Sequence, residues 1–145
     1  MSRTKNPTTS TLNLKIEGGR KLKGTIETNT SKNGAMGLLC ASLLNKGKTT
    51  FIKTPKIEEV NRIIEVFESI GVKVKWQGKN LEITPPKKFN FKKINAASAT
   101  KTRSIIMTIG SLIHAEKKFS LPQSGGCKLG ERTIRPHLMA LKELG

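Results

Sequence analysis

An amphipathic stripe followed by a hairpin pattern, over residues 57–83, constrains the fold of this chain more than any other feature. In the first part, apolar residues recur at helical spacing at Ile57, Val60, Ile63, Ile64, Phe67 and Ile70. In the second part, they alternate with polar residues at Val72, Val74, Trp76, Leu81 and Ile83. Gly71 separates the two parts, and the segment Gln77-Gly78-Lys79-Asn80 has the composition of a turn. The pattern predicts a helix that ends at Gly71, followed by two antiparallel strands.

The residues before this stretch predict further strands and a helix. Residues 12–16 alternate apolar with polar side chains, and a glycine pair predicts a turn before a second extended piece that runs to about Ile26. From Ser31 the spacing becomes helical, with one face formed by Ala35, Leu38, Leu39, Ser42 and Leu43. Phe51-Ile52 marks a short strand. Residues 12–84 are therefore predicted to form one βαβαββ unit with a preceding strand.

A second and incomplete unit is predicted over residues 85–145. After a Lys-rich connector, the pattern predicts a helix from about Ala99 to Ile113, and a short strand at Phe119 and Leu121. A final apolar stripe consists of Leu138, Leu141 and Leu144. The segments Ser31-Lys32-Asn33 and Thr100-Lys101-Thr102 lie near the starts of corresponding helices. The two halves thus predict an internal duplication, in which the second unit lacks its closing strands.

The formal charge of +17 is of the size found in proteins that bind nucleic acid. Here, however, the lysines are scattered over many predicted elements, the chain has no Tyr, and Trp76 is its only Trp. A stacking platform for single strands is hard to build from that composition, which argues against nucleic acid as a partner. The ten acidic residues are all Glu, so chemistry that needs an aspartate cannot be completed within these residues.

Cysteine content and hydropathy predict the compartment. The two cysteines, Cys40 in a helical pattern and Cys127 in a loop, do not form a disulfide framework. No segment is long and apolar enough to span a bilayer. Residues 1–11 lack the apolar core of a signal peptide and are predicted to be a disordered polar leader. We therefore expect a soluble, cytoplasmic protein that does not contact a membrane.

The loop Gly125-Gly126-Cys127-Lys128-Leu129-Gly130-Glu131-Arg132 places a thiol among glycines and cations. Lys128, Arg132, Arg135 and a following helix N-terminus would all lower the pKa of that thiol. The glycines allow main-chain N–H groups to approach an anion closely. The loop predicts a reactive cysteine beside a small anionic substrate, with a turn around a buried thiol as the alternative.

Three segments together resemble the enolpyruvyl transferase family: Ser31-Lys32-Asn33-Gly34-Ala35, Lys101-Thr102-Arg103, and the cysteine loop at 125–132. The resemblance runs from about Leu12 to Gly145 and is with the members that act on UDP-N-acetylglucosamine. It implies an inverse α/β barrel of repeated βαβαββ units, with about one complete unit and part of a second in this chain. It also implies transfer of the enolpyruvyl group of phosphoenolpyruvate to the 3-hydroxyl of UDP-N-acetylglucosamine, a step of peptidoglycan precursor synthesis.

The resemblance assigns roles to individual residues. Lys32, Arg103 and Arg132 would be the cations that bind the phosphate and carboxylate of phosphoenolpyruvate. Asn33 would position both substrates through its amide. Cys127 matches the catalytic cysteine of the family, which is associated with proton delivery, a covalent phosphoenolpyruvate adduct and alkylation by fosfomycin. The nucleotide-binding segment of the family matches Thr133, Ile134 and His137. For His137, a structural role is as consistent with the sequence as a binding role. No metal or cofactor is implied.

The sequence departs from the family just after Arg132. The family commonly has a Pro next and an Asp three residues on, where this chain has Thr133 and Arg135. Contacts to uridine made by main-chain atoms of Thr133 and Ile134 would survive the change. Arg135 stands where the family has a carboxylate, so it alters both the charge and the hydrogen bonds available for uridine recognition. The family also draws a catalytic Asp and a further Arg from sequence beyond these residues. We therefore expect that the remainder of the enzyme is needed to complete the site, and that the chain alone is inactive.

Two alternatives stay open. The shikimate-pathway members of the family use shikimate 3-phosphate, although the Lys32-Asn33 pair and the Gly-Gly-Cys loop disfavour them. A non-catalytic basic module that binds nucleic acid is the alternative of another class, and it predicts steeply salt-dependent binding to RNA or DNA. Protection of Cys127 by phosphoenolpyruvate or a sugar nucleotide would favour the enzyme.

Overall fold

The computed structural model describes residues 15–123 and 133–145. The elements in chain order are α1 (Lys32–Ser42), β1 (Thr49–Phe51), α2 (Glu58–Ser69), β2 (Lys73–Gln77), β3 (Asn80–Thr84), α3 (Ala96–Ala99), α4 (Ile109–Leu112) and α5 (Arg135–Glu143). Two 3₁₀ helices, at Phe91–Lys93 and Arg103–Thr108, complete the described secondary structure. These elements combine helices with one small antiparallel sheet, as an α+β fold does.

The sheet has three strands in the order β1-β3-β2, and both pairings are antiparallel. Strands β2 and β3 pair from Lys73 opposite Thr84 to Gln77 opposite Asn80. Between them Gly78 has a φ of 60°, which the first position of a tight two-residue hairpin turn requires. The hairpin predicted from the alternating pattern is confirmed.

Helix α2 forms the centre of the hydrophobic core because its apolar stripe faces both the sheet and the other helices. Val60, Ile63 and Phe67 are completely buried in this stripe. Leu81 and Ile83 contribute completely buried side chains from β3. Helix α1 adds Met36, Leu39 and Leu43. Burial of this apolar surface, at about 25 cal/mol per Å², is the main stabilising contribution in the described residues.

Helix α2 ends at Gly71 as predicted, and the structure shows that this end is a Schellman motif. The N–H of Gly71 donates to the carbonyl of Glu68 at 3.0 Å, and that of Val72 donates to the carbonyl of Phe67 at 3.0 Å. Gly71 has a φ of 98°, where glycine is favoured over residues with a Cβ. The motif turns the chain directly from α2 into β2.

The extended pieces predicted before α1 are wrong where the structure describes them. Residues 15–31 contain no strand, and Ile16, Leu22 and Ile26 are 85%, 92% and 88% exposed. A strand must pair its main-chain N–H and C=O groups, and residues 15–29 make no main-chain hydrogen bond to the described sheet. The polar leader at 1–11 and the start of the predicted first strand lie outside the described residues. The first unit is therefore observed as αβαββ.

Leu38, predicted on the apolar face of α1, and Ile52, predicted in a short strand, are both exposed. Leu38 of α1 is 60% exposed, and Ile52, which follows β1, is 68% exposed. Helix α1 contacts α2 and the segment 103–112. Leu39, Ser42 and Leu43 of the predicted face are buried, together with Met36 and Cys40, which were not predicted on it.

The single helix predicted over 99–113 is broken at Thr102. Helix α3 ends at Ala99, and Thr102 is extended, with φ −129° and ψ 135°. Its hydroxyl oxygen accepts a hydrogen bond from the N–H of Ser104 at 3.2 Å, so Thr102 is the N-cap of a new 3₁₀ helix. The helix is interrupted because a hydroxyl side chain caps the backbone locally, and helical spacing of the isoleucines does not reveal that preference.

The predicted strand at Phe119 and Leu121 is also not observed. Phe119 instead stacks on Phe91, with ring centroids 5.2 Å apart, and both side chains pack against the core cluster. The final stripe does form a helix, α5, as predicted. The barrel arrangement and the boundaries at residues 84 and 85 stay predictions. In the described part of the chain, every helix is too short or too polar to cross a membrane.

Candidate functional site

The start of α1 presents two of the predicted site residues. Ser31 is the N-cap, and its hydroxyl oxygen accepts a hydrogen bond from the N–H of Gly34 at 3.1 Å. Lys32 and Asn33 are therefore the first two residues of the helix, and both are exposed. A lysine on the first turn lies beside main-chain N–H groups that have no partner within the helix, an arrangement suited to an anion.

Arg103 occupies an equivalent position at the start of the 3₁₀ helix 103–108. Thr102 caps this helix in the same way that Ser31 caps α1, by accepting a main-chain N–H with its hydroxyl oxygen. Arg103 is half-buried. Its guanidinium forms no ion pair within residues 15–123 and 133–145. The sequence likeness aligns Ser31 with Thr100, which is the C-cap of α3, so the observed N-cap at Thr102 lies two residues after the expected position.

A single carboxylate joins the two helix starts. The ammonium of Lys32 donates to Oε2 of Glu59 at 2.7 Å. The hydroxyls of Ser104 and Thr102 donate to Oε1 of Glu59 at 2.6 Å and 3.3 Å. Glu59 is the second residue of α2. The structure therefore brings the Lys32 and Arg103 segments together, although they are far apart in sequence.

These contacts also set the protonation of Glu59. The hydrogen bond from Lys32, and then that from Ser104, hold the pKa of the Glu59 carboxyl below its ordinary value. Partial burial acts in the opposite direction and is the weaker influence. Glu59 is therefore anionic at neutral pH and pairs with the cation of Lys32.

The three residues predicted for the nucleotide lie in a separate segment at the start of α5. The hydroxyl oxygen of Thr133 accepts a hydrogen bond from the N–H of Arg135 at 3.1 Å, so this departure from the family motif forms a local turn just before α5, whose N-cap is Ile134. Ile134 is half-buried, and His137 is exposed on the first turn. Among the described residues, none of the three contacts Lys32, Asn33 or Arg103 through a hydrogen bond.

The remaining two predicted site residues, Cys127 and Arg132, lie outside the described residues. The other cysteine, Cys40, is 3% exposed in α1, and burial raises the pKa of its thiol to about 12. A thiol with that pKa stays protonated and is a poor nucleophile near neutral pH. Cys40 is thus a packing residue, as its position within an apolar helical pattern suggested.

Two cavities adjoin these elements. One of about 340 Å³ lies between the start of α1 and the segment 50–55, with Ser31 and Gly34 among its lining residues. The other, of about 280 Å³, lies between the 103–109 segment and α5, with Ile105, Ile134 and Leu138 in its lining. Neither is lined by Lys32, Asn33 or Arg103. In the part of the chain that the structure describes, no group of three or more His, Cys, Asp or Glu could hold a metal ion.

Sequence reasoning missed Glu59 and Ser104 as site residues. A Glu on the first turn of a helix is ordinary, because the helix dipole favours it there. The overlooked signal is the face of the helix: Glu59 lies four residues before Ile63, which is completely buried, and therefore on the inner side of α2. By contrast, the side chain of its neighbour Glu58 is 79% exposed.

Comparisons with known proteins identify relatives of this chain. The chain is 34% identical over 132 residues to UDP-N-acetylglucosamine 1-carboxyvinyltransferase 2 of Caldanaerobacter subterraneus subsp. tengcongensis, with 91% of this chain and 31% of that protein covered. It is 35% identical over 136 residues to the UDP-N-acetylglucosamine 1-carboxyvinyltransferase of Protochlamydia amoebophila, with 91% and 29% covered. The protein of the same name from Deinococcus deserti is 33% identical over 133 residues, with 91% and 31% covered.

The chain thus spans about three-tenths of the length of these curated relatives. The family profile that matches is that of EPSP synthase (3-phosphoshikimate 1-carboxyvinyltransferase), over residues 16–145. This match covers all the described elements, including both capped helix starts. The chain belongs to the EPSP synthase (3-phosphoshikimate 1-carboxyvinyltransferase) family and hence to the enolpyruvyl transferases.

Proposed function

We propose that this chain forms part of an enzyme that transfers the enolpyruvyl group of phosphoenolpyruvate to the 3-hydroxyl of UDP-N-acetylglucosamine. The observation that carries the proposal is the meeting of the Lys32 and Arg103 helix starts at Glu59. Phosphoenolpyruvate has a phosphate and a carboxylate, so it requires two or more cations at a fixed separation. Two cation-bearing helix starts tied to one group supply such an arrangement.

The reaction explains why these residue types are suitable. The acceptor oxygen bonds to C2 of phosphoenolpyruvate while a proton adds to C3, and the hydroxyl proton passes to a base. Loss of phosphate from C2 and of a proton from C3 then restores the double bond. Charge on the phosphate and carboxylate changes in both steps, so fixed cations such as Lys32 and Arg103 favour the transition states. In this proposal Arg132 is a third cation, Asn33 orients the sugar hydroxyl, and Cys127 delivers the proton.

The acceptor is proposed from the relatives. Those reported above are all named for UDP-N-acetylglucosamine, at 33% to 35% identity. The name of the family profile instead supports shikimate 3-phosphate as the second candidate. In the proposed enzyme, Thr133, Ile134 and His137 contact the nucleotide, and the rest of the site comes from the remainder of the enzyme. We propose that it works in the cytoplasm, in peptidoglycan precursor synthesis.

Alkylation of Cys127 by fosfomycin tests this function. The intact chain is treated with fosfomycin with and without UDP-N-acetylglucosamine, its mass is measured, and any adduct is located by peptide digestion. We expect one adduct, at Cys127, that forms faster with the sugar nucleotide. Cys40 is an internal control, because its buried thiol should remain unmodified. A parallel sample with shikimate 3-phosphate tests the second candidate.

The outcomes separate the candidates. Acceleration by shikimate 3-phosphate alone would replace the proposed acceptor. A third outcome is that N-ethylmaleimide labels Cys127 while fosfomycin does not, whichever acceptor is present. That result would contradict the proposal that these residues form a site in which acceptor binding promotes reaction at Cys127. Binding of RNA with a steep salt dependence, in place of either acceptor, would favour the non-enzymatic alternative.

A further inference from the structure

We propose that Glu59 is a positioning residue, whose carboxylate fixes the Lys32 ammonium relative to the Thr102–Ser104 turn and so sets the spacing of the Lys32 and Arg103 cations. This inference rests on the proposed function, because it concerns how the same anion site is kept in order. It assigns a role to a residue on α2, an element that holds none of the residues predicted to touch substrate.

The two oxygens of Glu59 have separate partners. Oε2 accepts from the ammonium of Lys32 at 2.7 Å, while Oε1 accepts from the hydroxyl of Ser104 at 2.6 Å and that of Thr102 at 3.3 Å. A carboxylate is rigid and planar, so contacts at one oxygen restrict the position of the other. The start of α1 is therefore tied to the start of the 103–108 helix through one planar group.

The position of Glu59 is itself fixed by packing. It lies on the inner side of α2, between Ile57, which packs against the core, and Val60 and Ile63, which are completely buried. Its side chain is only 27% exposed, against 79% for Glu58. The carboxylate thus projects from a well-packed helix.

A lysine at this site requires such an anchor. Its four-carbon stem has several rotatable bonds, and the freedom lost on binding an anion weakens affinity unless the side chain is already ordered. Glu59 occupies one donor of the ammonium, and the other two remain for a phosphate or carboxylate. The anchor also brings a negative charge near the substrate, but the cations of Lys32 and Arg103 outnumber it. We therefore expect ordering to outweigh repulsion.

Glu65 provides a matched control on the same helix. Its carboxylate also accepts from a hydroxyl, that of Ser98, and pairs with a cation, Arg62, at 2.8 Å. However, Arg62 belongs to α2 itself, and neither partner is a predicted site residue. Glu59→Gln and Glu65→Gln therefore remove the same charge from one helix, but only the former removes a contact to Lys32.

The experiment uses the full 145-residue chain labelled with ¹⁵N, in wild-type form and with each substitution. The Lys32 ammonium resonance, assigned with Lys32→Met, reports the order of that side chain. Phosphoenolpyruvate affinity is measured on the same samples by calorimetry. We expect Glu59→Gln to disorder the Lys32 ammonium and to weaken binding by about tenfold, and Glu65→Gln to change affinity by less than about twofold. Ser104→Ala, which loosens only Oε1, should weaken binding by about threefold.

The result that would overturn the proposal is an unchanged Lys32 ammonium in Glu59→Gln. Equal loss of affinity in Glu59→Gln and Glu65→Gln would also overturn it, since that pattern indicates general destabilisation. Tighter binding in Glu59→Gln would show that the carboxylate competes with the anion. If wild-type chain binds no phosphoenolpyruvate, the proposed function fails for these residues, while the Lys32 resonance still decides whether Glu59 holds that side chain.

Discussion

Residues 32–84 and residues 85–145 are stabilised in different ways. The first region has long elements that share one apolar core, in which Phe67 and Leu81 are completely buried. The second has shorter helices, and α5 leaves Leu138 and Leu144 49% and 84% exposed. The contacts between the regions include the polar ones that Glu59 and Glu65 make with hydroxyls at 98–104. The apolar core extends into the second region through Ala99, Ile105 and Leu112. The difference therefore lies in α5, which leaves its apolar residues largely exposed, and in the polar contacts that add to apolar packing between the regions.

Removing the centre of the core should have the largest effect. Phe67→Ala leaves a cavity among α1, α2 and the sheet, and we expect it to lower the free energy of unfolding by about 3–5 kcal/mol. Urea denaturation followed by circular dichroism measures the loss. Ile52→Ala is the matched control, because Ile52 is 68% exposed and its truncation should cost less than about 0.5 kcal/mol. Equal effects would contradict a core centred on α2.

A polar contact between the regions should contribute less. Ser98 is 4% exposed and its hydroxyl donates to Glu65, so Ser98→Ala should destabilise the chain by about 1–2 kcal/mol. The same denaturation experiment applies, with Ser120→Ala as an exposed serine control. In Ser98→Ala, amide hydrogen exchange should be faster in residues 96–112 than in the β2–β3 hairpin. Faster exchange throughout the chain would show that the two regions unfold together.

Acid should weaken the polar contacts of Glu59 and Glu65 before it affects the core. The partners of Glu59 and Glu65, chiefly Lys32 and Ser98, hold the pKa of each carboxyl below 4.5 in the folded chain. The unfolded state then binds protons first, so this stability is complete above about pH 5 and is lost as pH falls through 4.5 and below. With allowance for solvent screening, each contributes less than about 1 kcal/mol. In a pH series of denaturation experiments, the free energy of unfolding should therefore depend less on pH for Glu65→Gln than for wild type.

The smallest effect is expected in α5. Leu138 is 49% exposed, and Leu138→Ala should change the free energy of unfolding by less than about 0.5 kcal/mol. Calorimetric melting temperature is the measurement, with Leu39→Ala in α1 as the buried leucine for comparison. A loss close to that of Leu39→Ala would mean that α5 belongs to the core, and the contrast between the regions would fail.

The sequence predicted the first region well because its signals are local and strong. The stripe at 57–70, Gly71 and the Gly78 turn act over a few residues, and each is observed in α2, β2 and β3. The second region was predicted less well. Thr102 interrupts the predicted helix by capping, and Phe119 stacks on Phe91 where a strand was predicted. Such choices depend on tertiary partners, which hydrophobic periodicity does not contain.

For the candidate site, the sequence predicted candidate residues, which stay predictions, and did not predict the contacts that join two of their segments. Lys32 and Arg103 were identified by resemblance, and the structure shows both at capped helix starts. Glu59 was not identified, since its role arises only when α1, α2 and the 103–108 helix pack together. The predictions for Cys127 and Arg132 fall outside the described residues and stay predictions.

The single tryptophan gives the chain an optical reporter near the start of α2, where Glu59 lies. Trp76 packs against the core from β2, and the ammonium of Lys56 lies 4.9 Å from the centre of its ring. Lys56 lies three residues before Glu59, just ahead of α2. A displacement of the start of α2 would therefore alter the surroundings of the indole. Because no Tyr is present, tryptophan emission is free of energy transfer from tyrosine. Substrate titrations and slow rearrangements at the α2 start can thus be followed by fluorescence without attaching a dye.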